Sequence, residues 1–143
     1  MRFSLSVLLS IFCFAAHAWP TKPVRIVVAY PPGGGIDVMA RQLADQLTPL
    51  WGQPVVVENK PGANTIVATD AVARSAADGH TVLMTTDATF SINPHLYAKL
   101  PYDAKRDFIP VTMLVLLQQL LVAHPAVPFN DLKGLIEAAK AKP

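Results

Sequence analysis

The stretch "VRIVVAYPPGGGIDVMARQLADQL", Val24 to Leu47, constrains the fold more than any other part of the chain. Its opening run of β-branched residues suits a parallel strand buried on both faces. Two prolines and three glycines stop that strand. Apolar residues then recur at helical spacing, at Ile36, Met39, Ala40, Leu43, Ala44, Leu47 and Leu50. A strand, a glycine turn and a helix in that order open a βαβ unit, and with it a parallel sheet covered by helices. The helix's outer face is expected to carry Asp37, Arg41 and Asp45 as an i,i+4 charge ladder, with Pro49 and Gly52 bracketing its end.

The alternation continues along the chain. "PVVVE" reads as a second strand, "NKPGANT" as a loop, and Ile66 to Ala77 as an alanine-rich helix capped by Asn64 or Thr65. "ADG" stops that helix ahead of a third strand, "HTVLMTT". Residues 87–108 carry turn-forming sites at Asn93-Pro94, Pro101 and Asp103. "IPVTMLVLLQQLLVAHP" predicts a long apolar strand or strand pair whose uninterrupted runs are too short to span a bilayer. "FNDLKGLIEAAKAKP" predicts a helix capped at Asn130 or Asp131, with Leu132, Leu135, Ile136 and Ala139 on one face. A βαβ unit buries its helix by returning to a further strand, so this last unit is expected to be unfinished.

The front of the chain has a different character. "MRFSLSVLLSIFCFAAHA" has a basic start at Arg2, an apolar run from Phe3 to Ala16 and small residues at Ala16 and Ala18, the pattern of a secretory signal cut after Ala18. A membrane anchor needs roughly 20 apolar residues, and this run is shorter. The single cysteine, Cys13, falls inside the signal, and bulky Phe12 before it makes a poor lipoprotein box. With 52% hydrophobic and 15% charged residues, the remainder suits an α/β domain. Cleavage removes Arg2 and no acidic residue, so the formal charge falls from +2 to +1. No basic patch asks for a nucleic acid.

Chemistry concentrates in two loops. A helix start offers unpaired N–H groups and the positive end of the helix dipole, and glycines let those donors approach a ligand closely. "PPGGGID", with Pro31, Pro32, Gly33, Gly34, Gly35 and Asp37, therefore reads either as an anion site or as a tight turn without a ligand. Asp37 either favours the helix dipole or meets a ligand ammonium or, through water, a carboxylic acid. In the second loop, "TTDATFSINP", Thr85, Thr86 and Thr89 supply hydroxyls that can donate to a carboxylate or close local turns.

Other chemistries fit poorly. A phosphate loop would continue G-K-[ST], whereas Gly34-Gly35 leads into Ile36 and Asp37. A dinucleotide site could use Gly33, Gly35 and Glu58, but Val38 stands at the third glycine position. His80, His95 and His124 lack metal-ligand spacing, no G-x-S-x-G is present, and no carboxylates pair. The pattern favours binding over turnover, with no cofactor or metal expected.

The chain resembles the Bug, or TctC-like, family of periplasmic solute-binding receptors of tripartite tricarboxylate transporters. The resemblance rests on "WPTKPVRIVVAYPPGGGIDVMAR", "LWGQPVVVENKPGA", "DAVARSAADGHTVLM", "INPHLYAKLPYDAKRDFIPV" and "LLVAHPAVPFNDLKGLIEAAKAKP". It implies a periplasmic-binding-protein-like α/β receptor (type II, Venus flytrap), with a parallel-rich sheet flanked by helices, that closes on a small carboxylate: a dicarboxylate, tricarboxylate or aromatic acid. Its implied partners are the membrane permease subunits of such a transporter, and after signal cleavage the receptor is not itself membrane-embedded. It further implies that the loop of Pro31, Pro32, Gly33, Gly34 and Asp37 is one jaw, where N–H groups and ordered waters hold a carboxylate. Thr85 to Thr89 line the same cleft in that picture.

Members of the family are longer, so the chain is expected to be the amino-terminal half, truncated with the second lobe largely missing. Residues 1–18 would be the signal peptide, 19–108 the amino-terminal part of the first lobe, and 109–143 a crossover strand and first helix leading into the second. The family usually has "GAGGNIG" where this chain reads "GANTIVA", so Asn64, Thr65 and Ala68 replace glycines and their side chains enter the ligand's neighbourhood. Two alternatives stand beside the receptor: a non-functional or interaction fragment of it, exposing Leu120, Leu121, Leu135 and Ile136, and an enzyme domain with a dinucleotide on Glu58. For the signal, the expected outcome is that the protein recovered from the periplasm begins at Trp19. Amino-terminal sequencing that finds Met1 contradicts cleavage.

Overall fold

A computed structural model describes residues 19–116, 118 and 120–142; the signal peptide expected at residues 1–18 lies outside them. The chain divides into two compact units, one ending at Ile109 and one beginning at Pro110. The first contains strand β1 (Val24–Val28), helix α1 (Gly35–Trp51), strand β2 (Val55–Asn59), helix α2 (Ile66–Ala73) and strand β3 (Thr81–Met84). A π-helical turn (Ala88–Ile92) and one turn of helix α3 (Asn93–Leu96) follow. The second unit contains helix α4 (Leu132–Ala141).

The three strands pair in parallel in the order β2-β1-β3, with Val24 beside Val55, Val28 beside Asn59, and Val28 also beside Met84. β1 takes the centre because both of its faces are apolar. Ile26 and Val28 pack with Met84 against Ala40 and Ala44 of α1, while Val27 and Ala29 pack against Ala68 of α2. Alanine at these helix positions lets each backbone sit close to the sheet, and Ala40 and Ala68 are completely buried. Parallel strands end on one edge, so the loops after β1, β2 and β3 share it. The chain leaves β1 for β2 on one side and reaches β3 on the other, which makes the carboxyl end of β1 a topological switch point.

Several expectations about the elements need correction. The end of α1 does fall between Pro49 and Gly52 as expected, the helix running through Pro49 to Trp51 and closing at Gly52 in the left-handed conformation, φ +63°. The Thr48 hydroxyl, donating to the Ala44 carbonyl (2.8 Å) and accepting the Val55 N–H (3.1 Å), ties this last turn to β2. Leu50 is 76% exposed and lies off the buried stripe. Asp37 is not on the solvent face; it is buried. α2 ends at Ala73 rather than Ala77, where the Ser75 hydroxyl and N–H both donate to the Val72 carbonyl.

In the second unit, Asp131 caps α4 by accepting the Gly134 N–H at 2.8 Å, as expected. The apolar segment ahead of it is not a strand at any described residue. A strand forms where a second strand satisfies its backbone, and no described residue pairs with this one. Leu120, Leu121 and Ile136 are exposed, and Leu135 is partly covered. No helix among the described residues is long and apolar enough to cross a membrane.

The contact between α1 and the sheet yields a direct test. Ala40→Leu forces a larger side chain against Ile26 and Val28, and overpacking of this kind costs about 1–3 kcal/mol. Urea unfolding of the variant is expected to show a lower midpoint with an unchanged slope.

Candidate functional site

The glycine turn is organised by one carboxylate. Asp37 Oδ2 accepts the Gly33 N–H at 2.8 Å and Arg41 Nε at 3.0 Å, while Oδ1 accepts Arg41 Nη2 at 3.0 Å and Asn59 Nδ2 at 2.8 Å. Asn59 also donates to the Tyr30 carbonyl (3.1 Å) and accepts from Arg41 Nη2 (3.1 Å). The loop after β1, the first turns of α1 and the end of β2 thus converge on a residue only 2% exposed. Arg41's hydrogen bonds, then those of Gly33 and Asn59, hold the Asp37 carboxyl far below the usual carboxylate range against the opposing effect of burial.

This closure shapes what the turn can offer. Gly33 has φ +84° with open space where a Cβ would stand, so its backbone conformation and not crowding requires glycine. Gly34 occupies the N-cap of α1, no side chain caps the helix there, and Pro31 to Gly35 are all exposed. The helix start therefore keeps N–H donors open to an incoming acceptor. Asp37 itself is engaged by protein groups through both oxygens, and Arg41 neutralises its charge, so it does not set a bare carboxylate against an anion.

The other expected residues form a second network. Thr89 Oγ1 hydrogen-bonds both Thr85 Oγ1 and Thr65 Oγ1, the latter at 2.7 Å, and the Tyr102 hydroxyl donates to the Thr89 carbonyl at 2.9 Å. Asn93, fully buried, donates to the Asn64 carbonyl (2.8 Å) and accepts Asn64 Nδ2 (2.6 Å). Thr86 Oγ1 meets the Tyr30 hydroxyl at 2.7 Å, which joins the third loop to the first. Thr65 stands at the N-cap of α2, but its hydroxyl turns to Thr89 instead of capping the helix.

The backbone between β2 and α2 is unusual. Ala63, Asn64 and Thr65 have φ of 45°, 49° and 75°, immediately after Gly62 at 134°. Left-handed backbone suits glycine and is tolerated by asparagine, but for alanine and a β-branched threonine it costs on the order of 1–3 kcal/mol each. The bonds from Asn93 and Thr89 oppose that strain. All the expected site residues therefore lie on the carboxyl edge of the sheet: Pro31, Pro32, Gly33, Gly34, Gly35 and Asp37 in the first loop, Asn64 and Thr65 in the second, Thr85, Thr86 and Thr89 in the third. Hydrogen bonds made by Tyr30, Asn59 and Asn93 knit these loops together.

Sequence reasoning missed Tyr30, Asn59, Asn93 and Tyr102, which position the loops. Asn59 had a readable signal, a polar residue ending the valine run of β2 at the same edge as the glycine turn. Glu58, the acid of the dinucleotide reading, is engaged by Lys60 at 2.7 Å and Arg25 at 3.4 Å. Among the described residues no three His, Cys, Asp or Glu side chains gather into a metal-holding group.

Residues 39–143 match the profile of the tripartite tricarboxylate transporter family receptor, TctC. The chain belongs to the TctC family. It is 41% identical over 130 residues to Protein BugT of Bordetella pertussis, covering 90% of this chain and 40% of BugT. Among solved structures it is similar to R. palustris Rpa4515 with adipate (TM-score 0.76, 33% identity), covering 87% of this chain and 42% of that one. It is also similar to MatC (Rpa3494) from Rhodopseudomonas palustris with bound malate (TM-score 0.61, 35% identity), covering 65% and 32%. The architecture is thus the periplasmic-binding-protein-like α/β fold, and this TctC-family chain spans about two fifths of the length of BugT.

The buried carboxylate makes a pH-dependent prediction. Because Asp37 has a folded-state pKa below its ordinary 3.8, its ion pair stabilises fully above that value, and the contribution disappears as pH falls through the lowered one. Asp37→Asn is therefore expected to melt several degrees lower than the parent at neutral pH, with the gap narrowing below about pH 4. Thermal melts at both pH values check this; a gap of equal size throughout contradicts it.

Proposed function

We propose that the chain forms part of an extracytoplasmic receptor that captures a small carboxylate, either a dicarboxylate, a tricarboxylate or an aromatic acid, for a tripartite tricarboxylate transporter. The observation that carries this reading is the Asp37 closure, which holds an uncapped helix start open at a switch point beside threonine hydroxyls on the adjoining loop. An anion placed there meets N–H donors and hydroxyls without meeting an unpaired carboxylate. The similarity to proteins solved with adipate and with malate points to the same ligand class.

In this reading each loop residue takes a role. Gly34 and Gly35 offer N–H groups at the start of α1, Gly33 bends the chain so that they face outward, and Pro31 and Pro32 stiffen the approach. Thr85, Thr86 and Asn64 line the neighbouring loops, while Thr65 and Thr89 act from beneath. Ordered waters bridge the remaining distance. A second lobe closing over this edge would bury the ligand and present the closed form to the permease subunits. Export to the periplasm rests on the signal-like residues 1–18 and on the company the family keeps, and binding requires no turnover chemistry.

Amide NMR of isotope-labelled protein recovered from the periplasm, titrated with adipate and with malate, tests the proposal and detects weak binding as well as tight. Saturable shifts are expected at Gly33 to Gly35 and at Thr85 to Thr89. Saturation with neither ligand moving those amides contradicts the carboxylate site.

A further inference from the structure

We propose that Asn64 determines specificity by presenting a fixed hydrogen-bond acceptor to the ligand, selecting carboxylates that also carry a hydroxyl or ammonium donor. This inference rests on the carboxylate-receptor reading and narrows it to a ligand class.

The orientation of the Asn64 amide is dictated by its partner. Asn93 Nδ2 lies 2.8 Å from the Asn64 backbone carbonyl, which can only accept, and 3.4 Å from Thr65 Oγ1. The nitrogen of Asn93 must therefore sit there, and its Oδ1 must face Asn64. Asn64 answers by donating Nδ2 to that oxygen at 2.6 Å. Its own Oδ1 is left with no hydrogen-bond partner among the described residues, on a side chain that is exposed. Asn93 is completely buried and cannot rotate to reverse the pairing without setting two acceptors against each other.

Position completes the argument. The left-handed run Ala63 to Thr65 carries Asn64 on the same sheet edge as the glycine turn, and Thr65, bonded to Thr89, connects the run directly to the Thr85 loop. The N–H groups of the glycine turn and the threonine hydroxyls on this edge can donate to a carboxylate, and the carboxylate singled out there, Asp37, is already engaged through both oxygens. The Asn64 oxygen cannot donate, and it repels a carboxylate oxygen while accepting from a hydroxyl or ammonium. A ligand with both groups satisfies the edge, whereas one with carboxylates alone leaves this acceptor without a donor.

The test compares L-malate with succinate, which differ by one hydroxyl, using the same amide NMR titration on the parent and on Asn64→Gly. Glycine retains the left-handed backbone while removing the acceptor. The parent is expected to bind malate about fivefold to tenfold more tightly than succinate, the worth of one hydrogen bond. In Asn64→Gly that ratio is expected to fall to about one. Equal affinities in the parent, or an undiminished ratio in the variant, overturn the role of Asn64 while leaving the carboxylate site standing. If neither acid, and adipate no more than they, perturbs Gly33 to Gly35, the receptor reading fails and this inference with it.

Discussion

The Asp37 carboxylate is the interaction on which the rest of the site depends. Without it, three glycines between a strand and a helix would leave the backbone free to sample many turns. With it, the Gly33 N–H, the Arg41 guanidinium and the Asn59 amide are held to one buried point. Burying a charge is tolerated only when it is paired and hydrogen-bonded, and here both oxygens are satisfied. The result links α1 to the end of β2 and, through Asn59 and Tyr30, to the loop after β3.

A second constraint acts on the opposite face of the sheet. The left-handed turn before α2 is built from alanine, asparagine and threonine, and side chains from the π-helical turn and α3 hold it in place. Irregular helical turns of this kind recur near functional sites because they re-aim side chains. Here the re-aimed groups are Thr89 and Asn93, both fully buried. Strain in one loop is thereby balanced by hydrogen bonds from another, so a change in either loop is felt in both.

The parallel sheet was legible in the sequence because local signals agreed: β-branched strands, glycine stops and helical periodicity all point to one architecture. The edge that carries the site followed from strand direction alone. Asp37 was harder to read. Its place in the first helical turn suggested an exposed dipole partner, and only the tertiary approach of Asn59, 22 residues later, turns it inward. Thr65 failed as a cap for the same reason, since a buried threonine 24 residues away competes for its hydroxyl. The strand expected within 109–125 depended on a pairing partner, which periodicity cannot supply. Substitution of glycines by Asn64 and Thr65 was visible from the resemblance, but the direction of the Asn64 amide depends on Asn93 and could not be read from spacing.

Electrostatics on this edge also limit how it can discriminate. Arg41 is committed to Asp37 and Lys60 to Glu58, so neither of these cations is a loose point charge for an anion. The other donors singled out on this edge are neutral N–H groups and hydroxyls, which act at short range and with strict direction. A site made of such groups recognises an acid by where its donors and acceptors lie more than by how many charges it carries. In the proposed receptor a single reversed group, one acceptor among donors, would weigh heavily on which ligand fits. The strained backbone that carries Asn64 is held by the same hydrogen bonds that fix the direction of its amide.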